Sequence, residues 1–319
     1  MRRREFAALF GAAVVWPSAA MAQSGLPRVA VLALGNPDPQ TFMKEFREGL
    51  RELGYVEGQN IQVELRSAGG DAKKLPPLAA ELVTTKTDII VGLQTPAATA
   101  AKQATRDIPI VLAGVGDPID TGLIDSLARP GGNITGVSSA TAETGAKNLE
   151  LIREVFPSAR KVAVLANAPD PFSKPLLEHI QAAAKILNLD IKPVMVNGVD
   201  QLEAHFDDIM KWQADAIVVQ PTLPLRLVAE LAIKSRLPAF APSATFTTAG
   251  GLMSYGNNIE ATFRQSAVFV DKILKGRKPA DLPVDLPTKY WLAINLKTAK
   301  AIGVTVPGLM LTRADDVID

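Results

Sequence analysis

Arg28-Val-Ala-Val-Leu-Ala33 recurs 133 residues later as Lys161-Val-Ala-Val-Leu-Ala166, and that repetition decides the fold. Each run is apolar without alternation, the pattern of a strand covered on both faces, as in parallel sheets. Two more pairs follow in the same order: Thr87-Asp-Ile-Ile-Val91 with Ala214-Asp-Ala-Ile-Val218, and Ile108-Pro-Ile-Val-Leu-Ala113 with Leu237-Pro-Ala-Phe-Ala241. Their offsets, 127 and 129 residues, stay close to the first. One match between buried strands carries little information. Three in order at a nearly constant offset indicate two similar βαβ lobes.

Helix-period segments lie between the runs. Gln40–Leu53 places Phe42, Phe46, Leu50 and Leu53 on one face and closes on Gly54. Ile61–Arg66 reads as a strand, and Asp71 as the N-cap of a helix carrying Leu75, Leu78, Leu82 and Val83. A strand over Asp88–Leu93 and a helix from Pro96 follow. The alternation predicts an α/β chain of two Rossmann-like, doubly wound parallel-sheet lobes, with a ligand cleft where the carboxyl ends of the strands face each other. Breaker-rich stretches at Arg129–Gly136, Gly250–Gly256 and Pro279–Pro287 are expected to carry the crossings between lobes. The N-terminal lobe then takes residues 27–137 plus about 257–280, and the C-terminal lobe 138–250 plus about 288–319.

Composition narrows the function. The 319 residues hold 34 Lys+Arg against 33 Asp+Glu, a formal net charge of +1, which leaves no basic surface for nucleic acid. The absence of cysteine excludes disulfides, thiol nucleophiles and thiolate-bound metals. His179 and His205 flank apolar helix positions and read as solvated or helix-edge residues, so no metal and no cofactor is expected.

The amino terminus reads as an address. Arg2-Arg3-Arg4, an apolar run from Phe6 to Trp16 and Ala20-Met21-Ala22 form a signal peptide over residues 1–22, cleaved after Ala22. Arg3-Arg4-Glu5-Phe6 is compatible with twin-arginine export. A mature protein starting at Gln23 is expected to be soluble and periplasmic, because no later stretch is continuously apolar for the 18 or so residues of a membrane span.

Longer blocks carry a family resemblance: Phe46-Arg-Glu-Gly-Leu-Arg-Glu-Leu-Gly-Tyr-Val-Glu-Gly58, Thr95-Pro-Ala-Ala98, Gly114-Val-Gly-Asp-Pro118 and Leu127-Ala-Arg-Pro-Gly-Gly-Asn-Ile-Thr-Gly136. Gly250-Gly-Leu-Met-Ser-Tyr-Gly256, Asp271-Lys-Ile-Leu-Lys-Gly276 and Ile294-Asn-Leu-Lys-Thr-Ala-Lys300 continue it. Over nearly all of the mature chain the sequence resembles periplasmic substrate-binding proteins of ABC transporters, in the group related to tryptophan- and tyrosine-binding components. The resemblance implies a type I periplasmic binding protein fold and capture of a small solute by closure of two lobes. It further implies delivery to a membrane permease. No Gly-x-x-x-x-Gly-Lys-Ser/Thr loop is present, so the ATPase is expected to be a separate subunit; the chain itself is expected to be a monomer.

The candidate ligand residues follow strand ends. Thr95, Pro96 and Ala97 open a helix whose N–H groups suit a carboxylate, or simply cap it. Asp117 either pairs with a ligand ammonium or closes an Asx turn before a helix over Ile119–Leu127. A helix N-terminus for a carboxylate and an aspartate for an amine together describe a site for an amino acid or related small carboxylate. Asn167 with its counterpart Asn36, Gln220, Thr222 and Ser243 offer neutral hydrogen bonds. Tyr255 either closes over the ligand or packs at a hinge, and core packing is favoured for Phe172 and Phe246.

Two rival readings stand beside this one. A Rossmann-type enzyme would need Gly-x-Gly-x-x-Gly, but Ile119 stands where the third glycine belongs after Gly114 and Gly116. There is no Gly-x-Ser-x-Gly elbow either, so no enzyme is expected. A module presenting its ligand to a membrane signalling receptor is the other alternative.

Overall fold

The structure is a computed structural model that describes residues 25–35, 38–243 and 245–319. The proposed signal peptide, residues 1–22, and Asn36 lie outside the described residues. The apolar runs form two sheets. In the first, β1 (Arg28–Ala33), β2 (Gln62–Ser67), β3 (Ile89–Leu93), β4 (Ile110–Val115) and β5 (Ile134–Ser138) are all parallel, in the order β2-β1-β3-β4-β5. The second holds β6 (Lys161–Asn167), β7 (Asp190–Val196), β8 (Ala216–Val219), β9 (Ala239–Ala241), β10 (Met253–Asn257), β11 (Tyr290–Asn295) and β12 (Asp316–Ile318). Its order, β7-β6-β8-β9-β10-β11-β12, begins with the same winding as the first sheet. The repeated sequence is therefore a repeated topology, with β1 and β6 in matching places between two neighbours. Strand β11 runs antiparallel to β10, so the second sheet departs from the all-parallel expectation. The chain reaches β11 on returning from the other lobe rather than through a crossover helix.

Helices α1 (Gln40–Glu52), α2 (Leu75–Thr84) and α3 (Gln94–Ala104) belong to the first lobe. After β5 the chain crosses, and α4 (Thr141–Val155) packs on α5 (Ser173–Leu187) and β10 of the second lobe. Helices α6 (Leu202–Lys211), α7 (Leu225–Lys234) and the single turn α8 (Thr245–Thr248) follow. After β10 the chain returns, and α9 (Ile259–Leu274) lies on α1, β4 and β5. It crosses a third time between Asp285, whose N–H donates to the Gly136 carbonyl, and Tyr290; α10 (Leu296–Ile302) and α11 (Gly308–Arg313) end the second lobe. Each lobe thus receives a helix that follows the last parallel strand of the other, a closed exchange tying both together at three crossings.

The cores sit on both faces of each sheet. Phe42, Phe46, Phe263 and Phe269 pack between α1, α9 and the first sheet, and Leu149, Ile152, Leu176 and Ile180 join α4 and α5 over the second. Each such side chain contributes about 1.5–3 kcal/mol by leaving water. Two local expectations differ from the structure. Residues 119–127 form turns rather than a helix, because the Pro118 carbonyl gathers the N–H groups of Leu123 and Ile124 and Gly122 turns the chain at φ +69°. Helix α3 begins at Gln94, itself at φ +65°, so Thr95 is not its N-cap. Among the described residues no helix is long and apolar enough to cross a membrane.

Candidate functional site

A cavity of about 360 Å³ lies where the carboxyl ends of both sheets meet. That is the place expected for a ligand in open α/β sheets, and the volume is at the small end for small-molecule sites. The first-lobe side is built by Phe42 after β1, Gln94 and Thr95 after β3, and Gly114 and Gly116 at the end of β4. Asp170 and Phe172 after β6, Gln220 and Thr222 after β8, and Ser243 after β9 form the second-lobe side. Phe263 of α9 completes an aromatic wall. Its ring meets Phe42 edge-on, with centroids 5.0 Å apart and planes at 77°, a favourable quadrupole geometry.

Asp170 is the chemical centre of the second-lobe side. The residue is 3% exposed. It accepts the Phe172 N–H at 2.9 Å, the Gln220 Nε2–H at 2.8 Å and the Thr222 hydroxyl at 2.8 Å. Gln220 is aimed by the groups its own Oε1 accepts from, the Ser173 hydroxyl at 2.7 Å and the Asn167 N–H at 2.8 Å. Burial pushes the Asp170 carboxyl up to about 6, against the three hydrogen bonds that favour its ionised form. No cationic side chain pairs with it among the described residues. A carboxylate desolvated beside a cavity without a protein cation is a candidate partner for a cationic ligand group. Arg226, exposed at the cavity and without an ion pair among the described residues, supplies the opposite charge.

The residues expected from sequence divide cleanly. Thr95, Gln220, Thr222 and Ser243 line the cavity; Pro96, Ala97, Asp117, Asn167 and Tyr255 do not. Thr95 is buried and its Oγ1 accepts the Gly116 N–H at 3.1 Å, which corrects its assignment as a helix cap. Pro96 and Ala97 are buried inside α3. Asp117 lies outside the cavity lining, and its Oδ1 accepts the N–H groups of Ile119 and Asp120, both at 3.0 Å, in the turn that the sequence offered as one of its two readings. Asn167 stands behind the wall, donating from Nδ2 to Thr222 Oγ1 at 3.2 Å. Tyr255 lies within β10 rather than at a crossing and stacks on Tyr290, centroids 5.8 Å apart. Phe246 is a core residue, whereas Phe172 both joins the core and faces the cavity. His179 Nε2 reaches Asp120 Oδ2 at 3.4 Å, and with an Asp117 carboxylate oxygen these atoms lie within 4.8 Å of one another.

Sequence reasoning missed Asp170, Phe42, Phe263 and Arg226. A signal for Asp170 was present. Asn36-Pro37-Asp38-Pro39 and Asn167-Ala168-Pro169-Asp170-Pro171 repeat one motif after equivalent strands, and both Asp38 and Asp170 reach the cavity.

Two wound sheets with a polar and aromatic cavity between their strand ends define a two-lobed receptor for a small solute, with the fold of type I periplasmic binding proteins. The chain belongs to the ABC transporter substrate binding protein family, whose model matches residues 28–318. Members of that family bind substrates rather than transform them. The chain is similar to the tyrosine-binding protein of Clostridioides difficile (strain R20291), with 28% identity over 273 residues, 84% of this chain and 78% of that protein. An ABC domain from Streptococcus pneumonia, solved in complex with L-Trp, matches at a TM-score of 0.85 and 28% identity over 92% of this chain and all of that one. A conserved domain protein from Vibrio cholerae O1 biovar El Tor matches at a TM-score of 0.87 and 26% identity, with the same coverage.

Proposed function

We propose that this protein captures an amino acid with an aromatic side chain outside the cytoplasm and delivers it to a membrane permease powered by separate ATPase subunits. The observation that carries the reading is Asp170, a buried carboxylate without a protein cation, facing a small cavity walled by Phe42 and Phe263. The ligand ammonium settles on Asp170 in a charge-assisted hydrogen bond. Its carboxylate meets the amino end of α3, where the Thr95 hydroxyl can still donate, and the guanidinium of Arg226. The side chain packs on the phenylalanine edges. Because the ligand is held from both lobes, by Asp170 and Arg226 of the second and the amino end of α3 of the first, binding stabilises the closed arrangement over an open one. The names of the C. difficile and S. pneumonia relatives agree with this ligand class, and the signal-peptide pattern of residues 1–22 agrees with export.

Calorimetry on the protein beginning at Gln23 tests it, using L-tryptophan and L-tyrosine beside tryptamine and indole-3-propionate. Binding of the amino acids with loss of affinity for both truncated analogues is expected. A ligand present at 100 times its Kd should also add about 2.7 kcal/mol of stability. Equal binding of indole-3-propionate would remove Asp170 from its role, and failure of every amino acid to bind would overturn the reading.

A further inference from the structure

Gly116 belongs to the first lobe, at the end of β4, and Phe172 to the second, at the start of α5. A Cβ added at Gly116 would fall 2.4 Å from Phe172 Cγ, and its three nearest atoms would all belong to that ring. No real Cβ sits so close to ring carbon, so the lobes meet here only because position 116 has no side chain. Both partners are held in place. The Phe172 ring is packed into the second-lobe core with Leu176 and Ala142, and its N–H is bound by Asp170. The Gly116 peptide is clasped from both sides, its N–H donating to Thr95 Oγ1 at 3.1 Å and its carbonyl accepting the Thr141 N–H at 3.3 Å from α4. The φ of Gly116 lies outside the left-handed region, so the backbone tolerates alanine and the restriction comes from the other lobe alone. Two turns farther along α5, His179 reaches Asp120 on the loop that continues from Gly116, which makes this stretch a continuous seam between lobes.

We infer that Gly116 and Phe172 set how far the lobes close, Gly116 being a positioning residue for ligand affinity. The inference rests on the closing-lobe reading above and deepens it. Closure draws the Phe172 ring onto the bare Gly116 backbone, and the same movement brings Asp170, which holds the Phe172 N–H, against a ligand seated beside Thr95. A methyl group at 116 wedges the seam and leaves the ligand held by one lobe.

The test is a double-mutant cycle on the protein beginning at Gln23, read by the change in X-ray-scattering radius of gyration on adding L-tryptophan and by calorimetric Kd. Wild type should contract on binding. Gly116→Ala should melt like wild type, bind at least tenfold more weakly and fail to contract. In a Phe172→Ala background the added Gly116→Ala should change neither affinity nor contraction, since the ring it would strike is gone. Contraction and wild-type affinity in Gly116→Ala, or an undiminished effect in the Phe172→Ala background, would overturn the inference while leaving the closing reading intact. A wild type that binds without contracting would overturn the closing reading and this inference with it. Should Gly116→Ala not fold, the comparison of Phe172→Ala with the double variant decides alone.

Discussion

Asp38 and Asp170 hold equivalent places in the two lobes, each in a Pro-Asp-Pro triplet past the first strand of its sheet. Each carboxylate accepts the N–H two residues on, from Gln40 at 3.0 Å and from Phe172 at 2.9 Å. The pair then diverges. Asp38 is exposed, while Gln220 and Thr222 fold over Asp170 and shut it from water. One local motif has produced a solvated turn residue in one lobe and a desolvated charge in the other.

Asp170→Asn should weaken L-tryptophan binding by roughly tenfold to a hundredfold, the range expected for losing a hydrogen bond to a charged group. Binding of the deaminated analogue, which never engages the carboxylate, should be nearly unchanged. Calorimetry on both ligands separates a lost charge contact from a damaged cavity.

The pH dependence follows from the same carboxyl. Burial raises it to about 6 from its ordinary 3.8, and the ammonium needs it ionised. Affinity for the amino acid should be flat near neutrality and fall as pH drops below about 6, by up to tenfold per unit. Stability of the ligand-free protein runs the other way. A raised folded value means that the contribution of Asp170 is full below 3.8 and is lost as pH rises through about 6. The loss is on the order of 3 kcal/mol. Relative to wild type, Asp170→Asn should therefore melt progressively higher between pH 4 and 7, measured by differential scanning calorimetry.

Thr95→Val keeps the shape of a side chain only 2% exposed but removes the acceptor for the Gly116 N–H. An orphaned buried N–H costs roughly 1–3 kcal/mol. Urea unfolding should show that loss with an unchanged m-value.

Gly136 in β5 has φ +134°, and a Cβ there would lie 2.4 Å from both the N and the O of Leu112 on β4. Gly136→Ala must distort the β4–β5 pairing or the chain itself. A destabilisation of about 3 kcal/mol or more is expected, visible as a large drop in Tm without ligand.

Particular residues show how far local reading reaches. The runs at Arg28 and Lys161 became the matching strands of two sheets because an unbroken apolar stretch has few places to go except a sheet covered on both faces. Asp117 and Asp170 were not separable in the same way. Both follow a strand end, both precede a proline, and both accept backbone N–H groups of the next few residues. The difference between them is Gln220 and Thr222, some 50 residues away in sequence and brought over Asp170 by β8. Thr95 likewise stands where a helix opens, yet the N-cap is Leu93 and the Thr95 oxygen accepts from Gly116, 21 residues on.

By itself the sequence determined most of the segments that become strands and helices, though not the turns at 119–127 or the start of α3, and it carried the like winding of the lobes and the family resemblance. The elements come from apolar periodicity, breakers and caps acting within about ten residues, the likeness of the lobes from runs repeated at a nearly constant offset, and the resemblance from longer motif blocks. Only the tertiary structure decided which aspartate loses its water, which phenylalanines wall the cavity, and that Gly116 lies beneath Phe172. Desolvation and steric fit depend on atoms from distant segments and from the opposite lobe, so their outcome appears only once both sheets stand edge to edge.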